Sequence, residues 1–366
     1  MFFKNSYKNK VVLVTGHTGF KGTWLVVWLK ILGAKVIGIS KGLPTEPSAF
    51  SLMKLSKDIQ DYRFDIKNLD KIKAVIAKHK PDFIFHLAAQ AIVSTSYKDP
   101  IDTIQTNAIG TMNILEAIKD YKKKCSVVMI TSDKCYENVE WVWGYKETDQ
   151  LGGKDIYSAS KAAAEIIIHG YYHSFVKNNS NISLGIARAG NVIGGGDWAK
   201  DRLIVDSVSS WMQQSKVTIR SPKSTRPWQH VLEPLSGYLL LGSNLSDSKF
   251  LNGEAFNFGP QSEQNRTVKE VIEELARLWG FKKPSDAIIF AKSPKFKEAA
   301  LLKLNCDKAS FYLNWEPTLA FSETMEMVAD WYKDYQANKS NVLNITSAQI
   351  ISYQESALRQ RKIWTS

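Results

Sequence analysis

Through the first half of the chain, short apolar runs alternate with stretches of helical period. KVVLVTG (10–16), AKVIGIS (34–40), PDFIFHLAA (81–89), SVVMITS (126–132) and ISLGIARAGN (182–191) read as buried strands. Between them, Lys21 to Leu32, Ile72 to Lys80, Thr106 to Tyr121 and Tyr157 to Phe175 read as helices with apolar residues at helical spacing. Strands alternating with helices of this length imply βαβ units and a parallel sheet. The expected fold class is therefore α/β, a doubly wound parallel sheet with a smaller α/β C-terminal region. In an open sheet of that kind, ligands sit at the carboxyl ends of the strands.

After about residue 190 the texture changes. Loops such as GGGDW and STRPWQH alternate with short elements, and VKEVIEELARLWG (268–280) is one clear helix. We expect residues 1–190 to form one domain and 191–366 mainly a second, with some later segments returning to the first. The final polar stretch, 340–366, is expected to end in a helix.

Composition narrows the class. A chain of 366 residues, 44% hydrophobic and 23% charged, has material for a sizeable soluble core. The apolar segment GTWLVVWLKILGAKVIGIS is interrupted by Lys30 and Lys35 and falls short of a membrane span, so no membrane partner and a cytoplasmic location are expected. Cys125, Cys135 and Cys306 are widely spaced and form no CxxC pair, which argues against a disulfide framework and a zinc site; no metal is expected. The formal net charge of +12 comes from scattered lysines, the longest run being Lys122–Lys124. Without a zinc-finger or RNP-type signature, that charge suits a phosphorylated substrate better than nucleic acid.

Three short patterns carry chemistry. VTGHTGFKG supplies Gly16, Gly19 and Gly22 where a strand turns into a helix, a place for a dinucleotide diphosphate at the helix N-terminus. Asp65, in FDI (64–66), would then lie near the adenine. The second strand ends in Ile39-Ser40-Lys41, without the acid that holds the ribose 2′-hydroxyl of NAD, so this position leaves NAD and NADP both open. YSASK sets Tyr157 and Lys161 four residues apart on one helical face. There the ammonium would lower the tyrosine's pKa and make it a base near neutral pH. TSDKCY (131–136) ends a strand with Ser132, Asp133 and Lys134, an acid beside a base.

Taken together, these patterns resemble the extended short-chain dehydrogenases/reductases, the family of nucleotide-sugar epimerases and dehydratases with a Rossmann-type sheet. HTGFKGTWL (17–25), HLAAQAIVSTSY (86–97), TSDKCYEN (131–138), EWVWGYKETDQLGGKDIYSASK (140–161), ARAGNVIGGGDWAKDRL (187–203) and STRPWQHVLEPLSGYLLL (224–241) are similar to the CDP-glucose 4,6-dehydratases over nearly the whole chain. The resemblance implies NAD as cofactor, held by Gly16, Gly19, Phe20, Lys21, Gly22, Asp65, Ile66, Leu87, Ala88, Ala89, Tyr157 and Lys161. It also implies CDP-glucose as substrate, contacted by Gln90, Asn191, Arg202, Arg220, Arg226 and His230, with structural packing the competing reading of His230.

In such enzymes Tyr157, helped by Ser132 and Lys161, oxidises carbon 4 of the hexose. Asp133 protonates the departing hydroxyl at carbon 6. Lys134 stands where the related dTDP-glucose dehydratases carry Glu; it is either a neutral base at carbon 5 or a cation that stabilises the enolate. An epimerase needs no such pair. The implied product is a 4-keto-6-deoxy sugar nucleotide for surface polysaccharide, made by a homodimer or homotetramer paired through the helices at 106–121 and 157–175. Two other readings stay open: the same dehydration on another nucleotide-glucose, and a catalytically silent binder of NAD and nucleotide sugar. Trp141 and Trp143 are read as packing or a pocket rim, and Cys135 as packing.

Overall fold

In the computed structural model, which describes residues 1–260, 266–291 and 301–366, seven parallel strands form one sheet. They are β1 (Val11–Thr15), β2 (Lys35–Ser40), β3 (Gln60–Arg63), β4 (Phe83–His86), β5 (Cys125–Ile130), β6 (Ile182–Ala189) and β7 (Ala255–Phe258). Their spatial order is β7-β6-β5-β4-β1-β2-β3, so the chain reverses direction across the sheet between β1 and β4. Among the described residues no helix is long and apolar enough to cross a membrane.

Alternate residues of each strand face two separate cores. Val12 and Val14 of β1 and Val128 and Ile130 of β5 enter one, whereas Leu13, Val127 and Met129 enter the other. Both faces are thus covered, and the strands read as continuous apolar runs rather than as alternating ones. On one face lie α1 (Phe20–Ile31), with Trp24 and Trp28 wholly buried, and a helix at Leu232–Asp247. The C-terminal helix Val342–Arg359 packs outside α1. On the other face lie α2 (Leu69–His79), α3 (Gly110–Ile118) and α4 (Ile156–Tyr171). Where the sequence suggests single helices, α3 is preceded by a π-turn at Gln105–Ile109 and α4 is followed by another at Tyr172–Val176.

Several elements depart from the expected order for physical reasons. β3 has the polar sequence QDYR; it is a sheet edge paired only to β2, so it carries no apolar run. β7 comes from far down the chain and pairs with β6. The helix at Leu232–Asp247 contains Pro234, Gly237 and Gly242, poor helix formers overridden by burial on almost every side. Beyond β6, short two-stranded ladders join 192–193 to 229–230, 225–226 to 266–267 and 217–219 to 288–290.

The β1–α1 turn fixes how close the first helix comes to the sheet. Gly16 has φ of +72°, and a Cβ there would lie 2.7 Å from the Ala88 backbone nitrogen. A Cβ on Gly22 would lie 2.1 Å from the Gly16 carbonyl oxygen and 2.8 Å from His17 Cα, all backbone that cannot swing away. Gly22→Ala is therefore expected to push α1 off β1 and lower stability by about 1–3 kcal/mol, measured as a fall in unfolding midpoint in urea; an unchanged midpoint would contradict this packing.

Candidate active site

Parallel pairing brings the carboxyl ends of β1, β4, β5 and β6 to one edge of the sheet, and with them the glycine turn, Leu87–Gln90, Ser132 and Asn191. The ends of β1 and β4 are tied directly. The Leu87 N–H donates to the Thr15 carbonyl (3.1 Å) and the Ala88 N–H to Thr15 Oγ1 (3.2 Å). Buried Ile66 lies against Gly110 at the start of α3. Gln90 is held by Asn107 from the π-turn. Its N–H donates to Asn107 Oδ1 (2.8 Å), while Asn107 Nδ2 donates to the Gln90 carbonyl (3.0 Å) and to Ser160 Oγ (2.8 Å) of α4. Asn107 thereby links the β4 loop to the helix of Tyr157; it sits in an unpunctuated helical pattern and gives no sequence signal.

Tyr157 and Lys161 occupy the first turns of α4, which Asp155 caps by accepting from the Ser158 N–H (2.9 Å). Both side chains are buried. Facing them, the chain leaves β5 in a short turn, Ser132–Cys135. Ser132 Oγ donates to Asp133 Oδ1 (2.9 Å) and accepts from the Lys134 N–H (3.2 Å). Asp133 is 2% exposed, and its Oδ2 has no hydrogen-bond partner among the described residues. Lys134 is half-buried. The structure thus brings Ser132, Asp133, Tyr157 and Lys161 together, with Lys134 one residue along the same turn.

Burial sets the charge states here. It pushes Tyr157 up to about 12, the bond to Ser132 being the main influence in the other direction. It draws Lys161 down to about 8 and Lys21 to about 7, Lys21 being lowered further by Lys161 and Arg202 and raised by Asp133. The expected lowering of Tyr157 by Lys161 is corrected here: desolvation of the phenol by burial outweighs its neighbours. Lys21 lies within this chamber. Its ammonium donates to Tyr238 Oη (3.4 Å), a residue of the distant 232–247 helix with no local sequence signal.

The turn fits a dinucleotide diphosphate. Gly19 is the N-cap of α1 and no side chain caps the helix, so its first N–H groups face the crevice beside the close Gly16–Ala88 approach. Phe20 opens that helix and its ring reaches Gly194. Asp65 is paired with Lys41 (3.3 Å) and Lys67 (3.5 Å), so Lys41 is committed to a surface ion pair. At the end of β2, where the sequence lacks an acid, His17 is wholly buried between Ser40 (3.0 Å) and Asp61 (2.9 Å). Asp61 supplies a carboxylate there from the polar edge strand β3, out of reach of any local pattern.

The remaining basic residues divide. Arg202 is paired with Asp197 (2.6 Å) and remains partly exposed, whereas Arg220 is more exposed and lies 3.6 Å from Asp201. Arg226 is buried on a ladder with Arg266, and its Nη1 donates to the Thr225 carbonyl (2.8 Å). The Asn191 carbonyl accepts from the Gln229 N–H (3.3 Å). His230 has no exposed surface; it packs edge-on to Trp24, and burial lowers it to about 3. That is the packing reading, and it takes His230 away from any open ligand surface. Trp143 is exposed, Trp141 lies against Tyr145, and Cys135 is wholly buried. Among the described residues no group of three His, Cys, Asp or Glu side chains assembles to hold a metal.

Fold and site together are those of a dinucleotide-binding enzyme of the extended short-chain dehydrogenase/reductase type. The chain belongs to the GDP-mannose 4,6 dehydratase family, whose model matches residues 13–328. It is 44% identical over 338 residues to a CDP-glucose 4,6-dehydratase of Salmonella typhimurium, covering 91% of this chain and 93% of that one. A dTDP-glucose 4,6-dehydratase of Haemophilus influenzae is 26% identical, covering 88% and 97%. Among solved structures, a UDP-glucose 4-epimerase of Thermotoga maritima with UDP-glucose superposes with a TM-score of 0.76 at 22% identity, covering 88% and 99%. A dTDP-glucose 4,6-dehydratase of Streptomyces venezuelae with NAD gives 0.76 at 20% identity, covering 89% and 98%.

Gly190 leaves the space into which Asp133 fits. A Cβ there would lie 2.9 Å from Pro227 Cγ and 3.3 Å from Asp133 Oδ2. Gly190→Ala is expected to push on Pro227 and crowd the Asp133 carboxylate, and to lower kcat about 10- to 100-fold with the fold retained. Steady-state rates beside far-ultraviolet circular dichroism test this, and an unaltered rate would contradict it.

Proposed function

We infer that this chain is an NAD-dependent 4,6-dehydratase of CDP-D-glucose, a hydro-lyase forming CDP-4-dehydro-6-deoxy-D-glucose. The observation that carries the reading is the Ser132–Asp133–Lys134 turn facing Tyr157, with Ser132 and Asp133 buried: oxidation at carbon 4 alone would need Tyr157, Ser132 and Lys161, and only an elimination gives work to an acid beside Ser132. The 44% identity to the Salmonella dehydratase supports CDP-glucose over other nucleotide sugars.

In this mechanism Tyr157 takes the proton of the carbon-4 hydroxyl while Ser132 hydrogen-bonds the same oxygen. NAD, when bound, would supply the hydride acceptor for carbon 4 and the donor for carbon 6. Lys161 would hold the nicotinamide ribose, and the glycine turn, with Phe20, Lys21, Asp65, Ile66 and Leu87–Ala89, would receive the rest of the cofactor. The new ketone acidifies carbon 5. Lys134 either takes the carbon-5 proton as a neutral amine or, as a cation, stabilises the enolate while another group takes that proton, and Asp133, through Oδ2, gives a proton to the hydroxyl leaving carbon 6. Gln90, Asn191, Arg202, Arg220 and Arg226 receive the nucleotide sugar, the arginines at its diphosphate.

The same reading assigns residues 1–190 mainly to the cofactor and 191–366 mainly to the sugar nucleotide. It gives the enzyme a cytoplasmic place in deoxy-sugar synthesis for surface polysaccharide such as lipopolysaccharide O-antigen. A homodimer or homotetramer accounts for Tyr97, Ile101 and Ile166, apolar side chains exposed around the 93–118 and 156–171 helices.

Incubation of the protein and NAD with CDP-glucose, dTDP-glucose, UDP-glucose or GDP-mannose separately tests the reading. We expect loss of one water from CDP-glucose alone; turnover of another sugar would keep the mechanism and discard this substrate, and no turnover of any would discard the dehydratase. In Tyr157→Phe the first oxidation is expected to slow by about 10²–10⁴-fold. Lys134→Met is expected to oxidise carbon 4 and then stall before losing water, seen as reduced cofactor that persists; normal turnover would exclude Lys134 from the chemistry.

A further inference from the structure

Beneath the catalytic turn lies a buried ion pair that the mechanism leaves unused. Glu165 follows Lys161 by one turn of α4, and Arg188 sits on β6; their side chains are 2% and 4% exposed. The guanidinium grips the carboxylate with two bonds, Nε to Oε1 (2.8 Å) and Nη2 to Oε2 (2.9 Å). Two charges out of water carry a desolvation cost that even good geometry only offsets, and an apolar pair often stabilises as well. Mere packing therefore does not account for this choice of residues.

What each partner does with its remaining capacity is informative. Glu165 Oε1 also accepts from Thr131 Oγ1, the residue before Ser132. Arg188 Nη1 donates to Tyr136 Oη (2.7 Å), the residue after Cys135, and the guanidinium lies 4.9 Å over that ring. Tyr136 Oη in turn donates to Asn257 Oδ1 (2.8 Å) on β7. The turn Ser132–Cys135 is thus held at its two ends by one ion pair. One member of the pair rides on the helix of Tyr157 and Lys161, and the other on the strand beside the turn.

We propose that Glu165 and Arg188 are positioning residues that clamp the Ser132–Asp133–Lys134 turn at both ends and hold it in register with Tyr157 and Lys161. The consequence for chemistry rests on the dehydratase reading; the clamp itself does not. A shift of the turn by about 1 Å is enough to cost about 100-fold in rate, and the clamp resists that shift without touching the substrate.

The links to the turn are removable while the ion pair stays intact. In Thr131→Val, and separately in Tyr136→Phe, kcat with CDP-glucose is expected to fall about 100-fold with KM changed less than about twofold. Thr131→Ser, which keeps the hydroxyl, should restore the rate. Wild-type kcat in both variants, or a loss that Thr131→Ser does not rescue, would overturn the proposal. An activity-independent readout is iodoacetamide labelling of Cys135, wholly buried inside the turn, with Cys125 on β5 as internal reference. With both links removed, Cys135 should label at least about tenfold faster while Cys125 is unchanged, as local rather than global opening requires. Labelling of Cys135 at the wild-type rate would overturn the clamp. Faster labelling in a chain whose wild type dehydrates no nucleotide sugar would keep the clamp and discard the dehydratase reading.

Discussion

The parallel pairing of β5 between β4 and β6 is the constraint on which the site depends. It points three carboxyl ends the same way, so Gln90, Ser132 and Asn191 emerge at one edge of the sheet although they are far apart in sequence. The pairing is affordable only because both faces are covered, and the covering helices then become the walls of the site. α4 brings Tyr157 and Lys161 from one face, α1 brings the glycine turn from the other, and the 232–247 helix contributes Tyr238 beneath Lys21.

The catalytic side chains are buried, and burial disfavours charge. Tyr157 is pushed up to about 12, and Lys161 and Lys21 are drawn down to about 8 and 7, each with burial as the leading cause. An anionic diphosphate arriving beside these lysines would favour their protonated forms, and the restored positive charge would in turn favour the phenolate. Asp133 is buried beside them, with Oδ1 bonded to Ser132 and Oδ2 without a hydrogen-bond partner among the described residues.

Much of this was legible in the sequence because the signals are local. The strand runs, the glycine turn, TSDK and YSASK each lie within ten residues, and the helix and strand periods give their order. What escaped depends on partners distant in the chain. QDYR is polar because β3 is an edge, so neither the strand nor the carboxylate of Asp61 beside His17 carries a pattern. Glu165 and Arg188 look like ordinary charges until β6 lies beside β5 and α4 crosses both. His230 stands in a distinctive block, yet its ring is buried edge-on against Trp24. Lys21 stands in the glycine motif, and the fold sets it in the chamber of Asp133 and Tyr238.

The central claim is that one wall oxidises carbon 4 and the facing turn expels the hydroxyl of carbon 6, within a single closed turnover. CDP-glucose carrying deuterium at carbon 4 tests it most directly. Mass and magnetic resonance analysis of the product should find the deuterium on carbon 6 of the same molecule, with water lost and carbon 5 carrying solvent hydrogen. Deuterium retained at carbon 4, or released to solvent, would contradict the account.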